Sequence, residues 1–255
     1  MWAARRRLRT QSRGAALGGV TVVSARFEEL DWQSTIMGDL TLRRRVDPQL
    51  GIPIYEVKLG EAFLMSSLFT VAEEALATLG LAEASGDSLE VLVGGLGLGY
   101  TAVTALADAR VRRMTVVDTL GAVIDWHRRG LLPVSRLLTE DSRTRLVHDD
   151  FFGLMRRDAE GARRYDAILV DIDHSPRYQL DPSHADLYTE AGLRSLGRHL
   201  VPGGVFALWS DDAPDAEFTA LLESVFATSA AHVVEFANPL TRGRSSNTVY
   251  VARLD

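Results

Sequence analysis

Aspartates close four successive apolar runs of this chain. Asp118 follows Met114-Thr115-Val116-Val117, Asp149 and Asp150 follow Leu146-Val147, Asp171 and Asp173 follow Ile168-Leu169-Val170, and Asp211 and Asp212 follow Phe206-Ala207-Leu208-Trp209-Ser210. If each run is a strand of one parallel sheet, the carboxylates gather on a single rim. Such a rim favours a cationic ligand, a sulfonium, an amine or both, because each negative charge offsets part of the cost of desolvating the cation. Aspartate is also common after strands as a turn or helix-cap residue, which accounts for some of these positions.

A glycine-rich turn precedes the first of these acids. Leu89 to Val93 is an apolar run that passes through Gly94, Gly95, Gly97 and Gly99 into a helix-like stretch, Ala102 to Ala107. In a parallel sheet, ligands lie beyond the carboxyl ends of the strands, and glycine lets the backbone come close to them. An acid at the end of the next strand is then placed to accept hydrogen bonds from two ribose hydroxyls, which makes Asp118 the ribose candidate. A dinucleotide fingerprint needs glycines at the first, third and sixth positions, yet the sixth position counted from Gly95 is Tyr100. The spacing Gly95-x-Gly97-x-Gly99 resembles instead the adenosylmethionine loop of class I methyltransferase-type folds.

The elements that must position these residues alternate. Helix 68–79 leads into strand 89–94. Then follow strand 114–117, a helix near 119–129, strand 145–147, strand 167–170, helix 186–200, strand 204–209 and helix 215–226. Alternation of this kind predicts an α/β fold with a mainly parallel, doubly wound sheet. Two β-rich stretches close the chain, 232–236 and 247–252, joined by a turn too short for a crossover helix, so they should pair as an antiparallel hairpin. Ahead of the helix at 68, the runs 20–23, 39–43 and 54–59 alternate between turn residues and predict a small antiparallel β unit. The expected organisation is a disordered basic arm (1–17), an N-terminal β unit (18–67) and an α/β catalytic domain (68–255).

Composition sets limits. Apolar residues make up 46% of the 255, ample for a buried sheet. A net charge of −6 argues against a general nucleic-acid binder. The absence of cysteine excludes disulfides, a thiolate nucleophile and zinc-thiolate sites, and fits a reducing, cytoplasmic setting. No apolar run approaches the ~18 residues of a membrane span. Arg5, Arg6, Arg7, Arg9 and Arg13 crowd the first fifteen residues without an acid or a following apolar core, so a basic arm is expected there rather than a secretory signal.

Gly94 to Gly99, Asp118, Val147-His148-Asp149-Asp150-Phe151, Tyr165 to Asp171 and Leu200-Val201-Pro202-Gly203-Gly204 together resemble the spermidine synthases and related aminopropyltransferases. The likeness covers roughly residues 35–253. It implies that Asp118 holds the ribose, that Asp149 (with Asp150 beside it) contacts the adenine amine, and that Asp171 is the base for the attacking amine. Asp173 is then available to hold the far ammonium of a diamine or to orient the base, and His174 is an alternative base. Of Glu73 and Glu74, the resemblance places one, assigned as Glu74, beside the substrate, with Asp211 at the same rim. Two departures stand out. The family's loop usually reads Gly-Gly-Gly-Asp-Gly-Gly, whereas Gly97 stands at the aspartate position, and its Asp-Ser-(Ser or Thr)-Asp-Pro motif is replaced by Asp171-Ile172-Asp173-His174-Ser175-Pro176.

The resemblance implies a transferase of polyamine biosynthesis, using decarboxylated S-adenosylmethionine or S-adenosylmethionine and moving an aminopropyl group to an amine such as putrescine. Methyl transfer to a small-molecule acceptor is the alternative, and a non-catalytic binding relative a second. The expected partner is a small-molecule amine, with no nucleic acid, membrane or metal, and the family likeness is consistent with a homodimer.

Overall fold

The computed structural model describes residues 27–255 except 36, 160 and 162. The basic arm and the run at 20–23 lie outside the described residues.

Four strands form an antiparallel sheet in chain order: β1 (Phe27–Thr35), β2 (Gly38–Val46), β3 (Pro53–Leu59) and β4 (Ala62–Ser66). Strands β2 and β3 fall where alternation predicts them. Their neighbours are hidden in the sequence: β1 slips register between Glu29 and Asp31, which breaks its period of two, and β4 spans five residues. Leu40, Leu42 and Val57 turn one face of this sheet into the main core. On the other face Glu56, though buried, is met by Arg43 Nε at 2.7 Å and Arg45 Nε at 2.8 Å, so its charge is paired.

The second sheet alternates with helices: α1 (Val71–Glu83), β5 (Leu89–Gly94), α2 (Tyr100–Ala107), β6 (Val111–Asp118), α3 (Gly121–Arg128), α4 (Ser135–Thr139), β7 (Thr144–His148), α5 (Phe151–Arg156), β8 (Tyr165–Val170), α6 (Glu190–Gly197), β9 (Leu200–Ser210), α7 (Ala216–Val225), β10 (Thr228–Asn238) and β11 (Gly243–Arg253). The strands lie in the order β10-β11-β9-β8-β5-β6-β7. From β7 to β9 every pair is parallel; β11 runs antiparallel to β9, and β10 pairs with it as the expected hairpin. The chain leaves β5 first towards β6 and returns to its other side as β8. Ligands of open α/β sheets bind beyond the strand ends at such a reversal.

Side chains alternate across the sheet and split the core into two layers. Val91, Val93, Leu169 and Ala207 pack with α1, α2 and α3 on one face, while Leu92, Ile168, Val170, Phe206 and Leu208 pack with α5, α6 and α7 on the other. The predicted helix 186–200 is two elements. A 3-10 helix, Pro182–Tyr188, ends at Thr189, whose hydroxyl then caps α6 by accepting from Gly192 N–H at 3.1 Å. Helix α1 starts three residues later than its periodicity suggests and runs on to Glu83.

A hydrogen bond ties the two sheets together. Trp126 of α3 is fully buried, and its indole N–H donates to Asp31 Oδ2 of β1 at 2.6 Å, with Arg129 3.3 Å from the same oxygen. Trp126→Phe removes that donor and leaves a void, and should cost about 2–3 kcal/mol of stability in a urea titration; a loss under about 0.5 kcal/mol would mean that the tie is dispensable.

Candidate active site

The geometry begins at the turn after β5. Gly95 has φ +90°, and a Cβ there would overlap the carbonyl oxygen of Asp171, so the turn and the end of β8 touch only because residue 95 is glycine. Backbone bonds lock the contact: Asp171 N–H donates to Gly94 O at 2.8 Å and Gly95 N–H to Val117 O at 2.9 Å. Gly94 packs where a side chain would meet the Phe151 ring, and Gly99, at φ +92°, opens α2.

Asp118 organises the same turn. Its Oδ2 accepts from Leu96 N–H at 3.0 Å and, at the limit of contact, from Gly97 N–H at 3.5 Å; its Oδ1 accepts from Leu120 N–H at 2.7 Å. Burial pushes this carboxyl above the ordinary aspartate range while the three amides oppose the shift. Each oxygen keeps acceptor capacity for a ligand.

Three adjoining chambers run along the strand ends. The inner one, about 100 Å³, is lined by Gly95, Gly97, Asp118, Asp150, Phe152, Asp171 and His184 among others. A middle one of about 90 Å³ shares Gly97 and Asp171 with it and adds Glu73, His174 and Trp209. The outer chamber, about 340 Å³, keeps Glu73, His174 and Trp209 and adds Asp211, Asn247 and the hairpin residues Phe236 and Asn238. Leu64 and Met65 of β4 border all three, so the N-terminal sheet roofs the site. Among the described residues, five carboxylates (Asp118, Asp150, Asp171, Glu73, Asp211) line the chambers and no lysine or arginine does, although Arg156 reaches Asp150 Oδ2 at 3.4 Å from outside the lining.

Asp171 sits at the junction. Thr101 Oγ1 lies 2.7 Å from its Oδ2 and 3.3 Å from the Glu73 carbonyl oxygen, so the buried hydroxyl can donate to either. Burial drives the Asp171 carboxyl up to about 6, against the bond from Thr101. Glu73 is pushed up to about 8, first by burial and then by the charges of Asp171, Glu74 and Asp211. Carboxyls crowded in this way take up a cation readily, and shed a proton as they do so.

Several expected residues fall elsewhere. Glu74, the sequence assignment, is exposed and accepts from Thr70 Oγ1 at 2.8 Å on the first turn of α1; its neighbour Glu73 faces the cavity, since adjacent helical positions point about 100° apart. Asp149 turns from the inner chamber towards Arg157, 3.3 Å away, and Asp150, next in the alternation, lines that chamber. Asp173 lines none of the three chambers: it is 1% exposed, with Oδ1 accepting from Leu180 N–H at 2.7 Å and His184 Nδ1 at 2.8 Å, and Oδ2 from Tyr188 O–H at 2.8 Å. Those bonds anchor the segment after β8 and leave Asp173 no route to a diamine. His174 and Asp211 reach the outer chamber, where Asp211 Oδ1 accepts from Asn247 Nδ2 at 2.7 Å. Trp209, near the end of β9, has an indole N–H that is sealed from solvent without a partner among the described residues. The sequence alone assigns no role to Met65, Thr101, His184 and Asn247, which come from elements distant in the chain and carry no local signature. The described residues contain no cluster of His, Cys, Asp and Glu fit for a metal, and no helix long and apolar enough to cross a membrane.

Sheet order, glycine turn and strand-end acids define a class I methyltransferase-type α/β fold roofed by an N-terminal antiparallel sheet. Within that class the chain is similar to spermidine synthases in fold and to polyamine aminopropyltransferases in sequence. Its fold matches that of the spermidine synthase from Thermotoga maritima with a TM-score of 0.68 at 17% identity, covering 89% of this chain and 72% of that one. A spermidine synthase in complex with the transition-state analogue AdoDATO matches with a TM-score of 0.67, again at 17% identity over 89% and 72% of the two chains. The polyamine aminopropyltransferase of Corynebacterium efficiens is 28% identical over 169 residues, 64% of this chain and 30% of that protein. That of Sulfolobus acidocaldarius is 31% identical over 118 residues, 46% of this chain and 37% of that protein. The chain thus spans about a third of the length of these curated relatives. No family model matches it.

The raised Glu73 carboxyl makes stability depend on pH. Its folded value lies above the ordinary 4.5, so the stabilising contribution is complete below about 4.5 and is lost as pH rises through about 8. Glu73→Gln should flatten that fall and be the more stable protein at pH 8.5, by about 1–2 kcal/mol once water in the chamber is allowed for. Thermal unfolding of both proteins between pH 5 and 9 measures it, and parallel curves would refute the burial of this charge.

Proposed function

We propose that this protein is a transferase that binds a sulfonium nucleoside through the glycine turn and Asp118 and moves its aminopropyl group to an amine. The observation that carries the reading is the run of five carboxylates along the chambers, with no lysine or arginine among the lining residues. Intact S-adenosylmethionine brings a carboxylate that this cavity meets with like charge; the decarboxylated form brings only positive groups. The names and likeness of the curated aminopropyltransferases support the same choice.

The chemistry follows from the placement of Asp171. An alkylamine with a pKa near ~10 arrives protonated and cannot attack. With its own value near 6, the Asp171 carboxylate is ionised at neutral pH and a stronger base than an ordinary aspartate. It takes the ammonium proton, and the freed nitrogen pair attacks the sulfonium-bound carbon in line. The carbon–sulfur bond breaks with its pair on sulfur, giving neutral methylthioadenosine and a secondary ammonium, while the abstracted proton stays on Asp171 until it passes to water. Glu73 and Asp211, in the outer chamber, hold the far ammonium of a diamine such as putrescine, the role that Asp173 cannot fill. His174 borders the same space as a second polar contact.

Methyl transfer is the second reading, favoured by Gly97. Where the family loop carries an acid, this chain has glycine at φ +46°, and a Cβ there would lie 3.0 Å from the Met65 sulfur. Calorimetry against S-adenosylmethionine, its decarboxylated form and methylthioadenosine separates the readings. We expect preference for the decarboxylated form, with Asp171→Asn lowering kcat with putrescine about 10³-fold; preference for S-adenosylmethionine would transfer the assignment to methylation, and no binding to either would leave a non-catalytic relative.

A further inference from the structure

We infer that His184, held by Asp173, reads the base of the bound nucleoside by accepting a hydrogen bond from an exocyclic amino group at Nε2. This rests on the nucleoside reading above and adds a specificity residue to it. Asp173 receives donors from three directions, which makes Nδ1 of His184 the donor of their 2.8 Å pair and leaves Nε2 of the neutral ring as an acceptor. Tyr188 is held in its protonated, donating form by burial and by the neighbouring Asp173.

The ring is placed as rigidly as its tautomer. It stacks on Phe152 with centroids 3.7 Å apart and planes 12° from parallel, and both residues line the chamber that holds Asp118 and Asp150. Arg156 fastens the 3-10 helix there by donating to Ser183 O at 3.1 Å while lying 3.4 Å from Asp150 Oδ2. Although His184 is only 9% exposed, its Nε2 has no hydrogen-bond partner among the described residues and is not among their polar atoms sealed from solvent. With the ring in the lining of the inner chamber, that open edge is the one offered to a ligand there. Asp118 takes the ribose at one side of this chamber, so the base falls towards Asp150 and His184. There an adenine amino group meets a lone pair, whereas the carbonyl oxygen of hypoxanthine meets acceptor against acceptor.

Binding of methylthioadenosine and methylthioinosine at pH 8 tests this without turnover. The wild-type protein should prefer the adenosine compound about tenfold or more, and His184→Phe, which keeps a stacking ring but no nitrogen, should bring the two within about twofold. A measurement on the unaltered protein guards against misfolding of the variant: the ¹⁵N resonance of His184 Nε2 should move on adding the adenosine compound and stay with the inosine one. A preference that survives in His184→Phe, or an unmoved resonance, overturns the inference while the nucleoside reading stands. If the wild-type protein binds neither compound, both fall. If it shows the His184-dependent preference yet transfers no aminopropyl group, only the proposed reaction falls.

Discussion

The site depends on one steric allowance: the carbonyl of Asp171 occupies the space that a side chain at residue 95 would claim. Contact between the β5 turn and the end of β8 brings the base candidate against the loop proposed to hold the nucleoside. The Asp118 carboxylate then clamps that loop from the other side through the Leu96 amide and, more weakly, that of Gly97. Any side chain at 95 forces the two strand ends apart, and the inner and middle chambers share both of those ends. Sheet order, turn conformation and chemistry are therefore one constraint.

Much of this was legible in the sequence because it is local. Apolar runs ending in acids gave the parallel strands, and glycine spacing gave the turn; neither needs long-range information. What failed was orientation. Glu73 and Glu74 are equal in composition, and only the phase of α1 against the sheet decides which faces the cavity. Asp149 and Asp150 differ by one step of a strand end that has already begun to turn into α5. Asp173 looked chemical by type and spacing, and was claimed by His184 and Tyr188, eleven and fifteen residues on, which no period links to it. Strand β4 was hidden by its length, and with it the roof of Leu64 and Met65.

Burial of several carboxyls around one cavity opposes folding, since each charged form loses water without gaining a cation. The protein lessens this by holding protons: Glu73 and Asp171 both bind theirs more tightly than free side chains do. Stability and affinity for a positive ligand therefore draw on the same groups. Elsewhere charge is compensated inside the protein, as Glu56 is between Arg43 and Arg45. The contrast marks the chambers as the place where compensation is left to a ligand.

A cavity of negative charge with no lysine or arginine in its lining also gives the proposed cycle a direction. Before transfer, the nucleoside carries a positive sulfur that the walls attract. Afterwards the same nucleoside is a neutral thioether, and the attraction at its sulfur is gone, while the new amine, formed as an ammonium, is still held by Glu73 and Asp211. The spent nucleoside is thus the species that the walls release most readily, and the lengthened amine the one that lingers, so accumulated polyamine would act as a brake on its own formation.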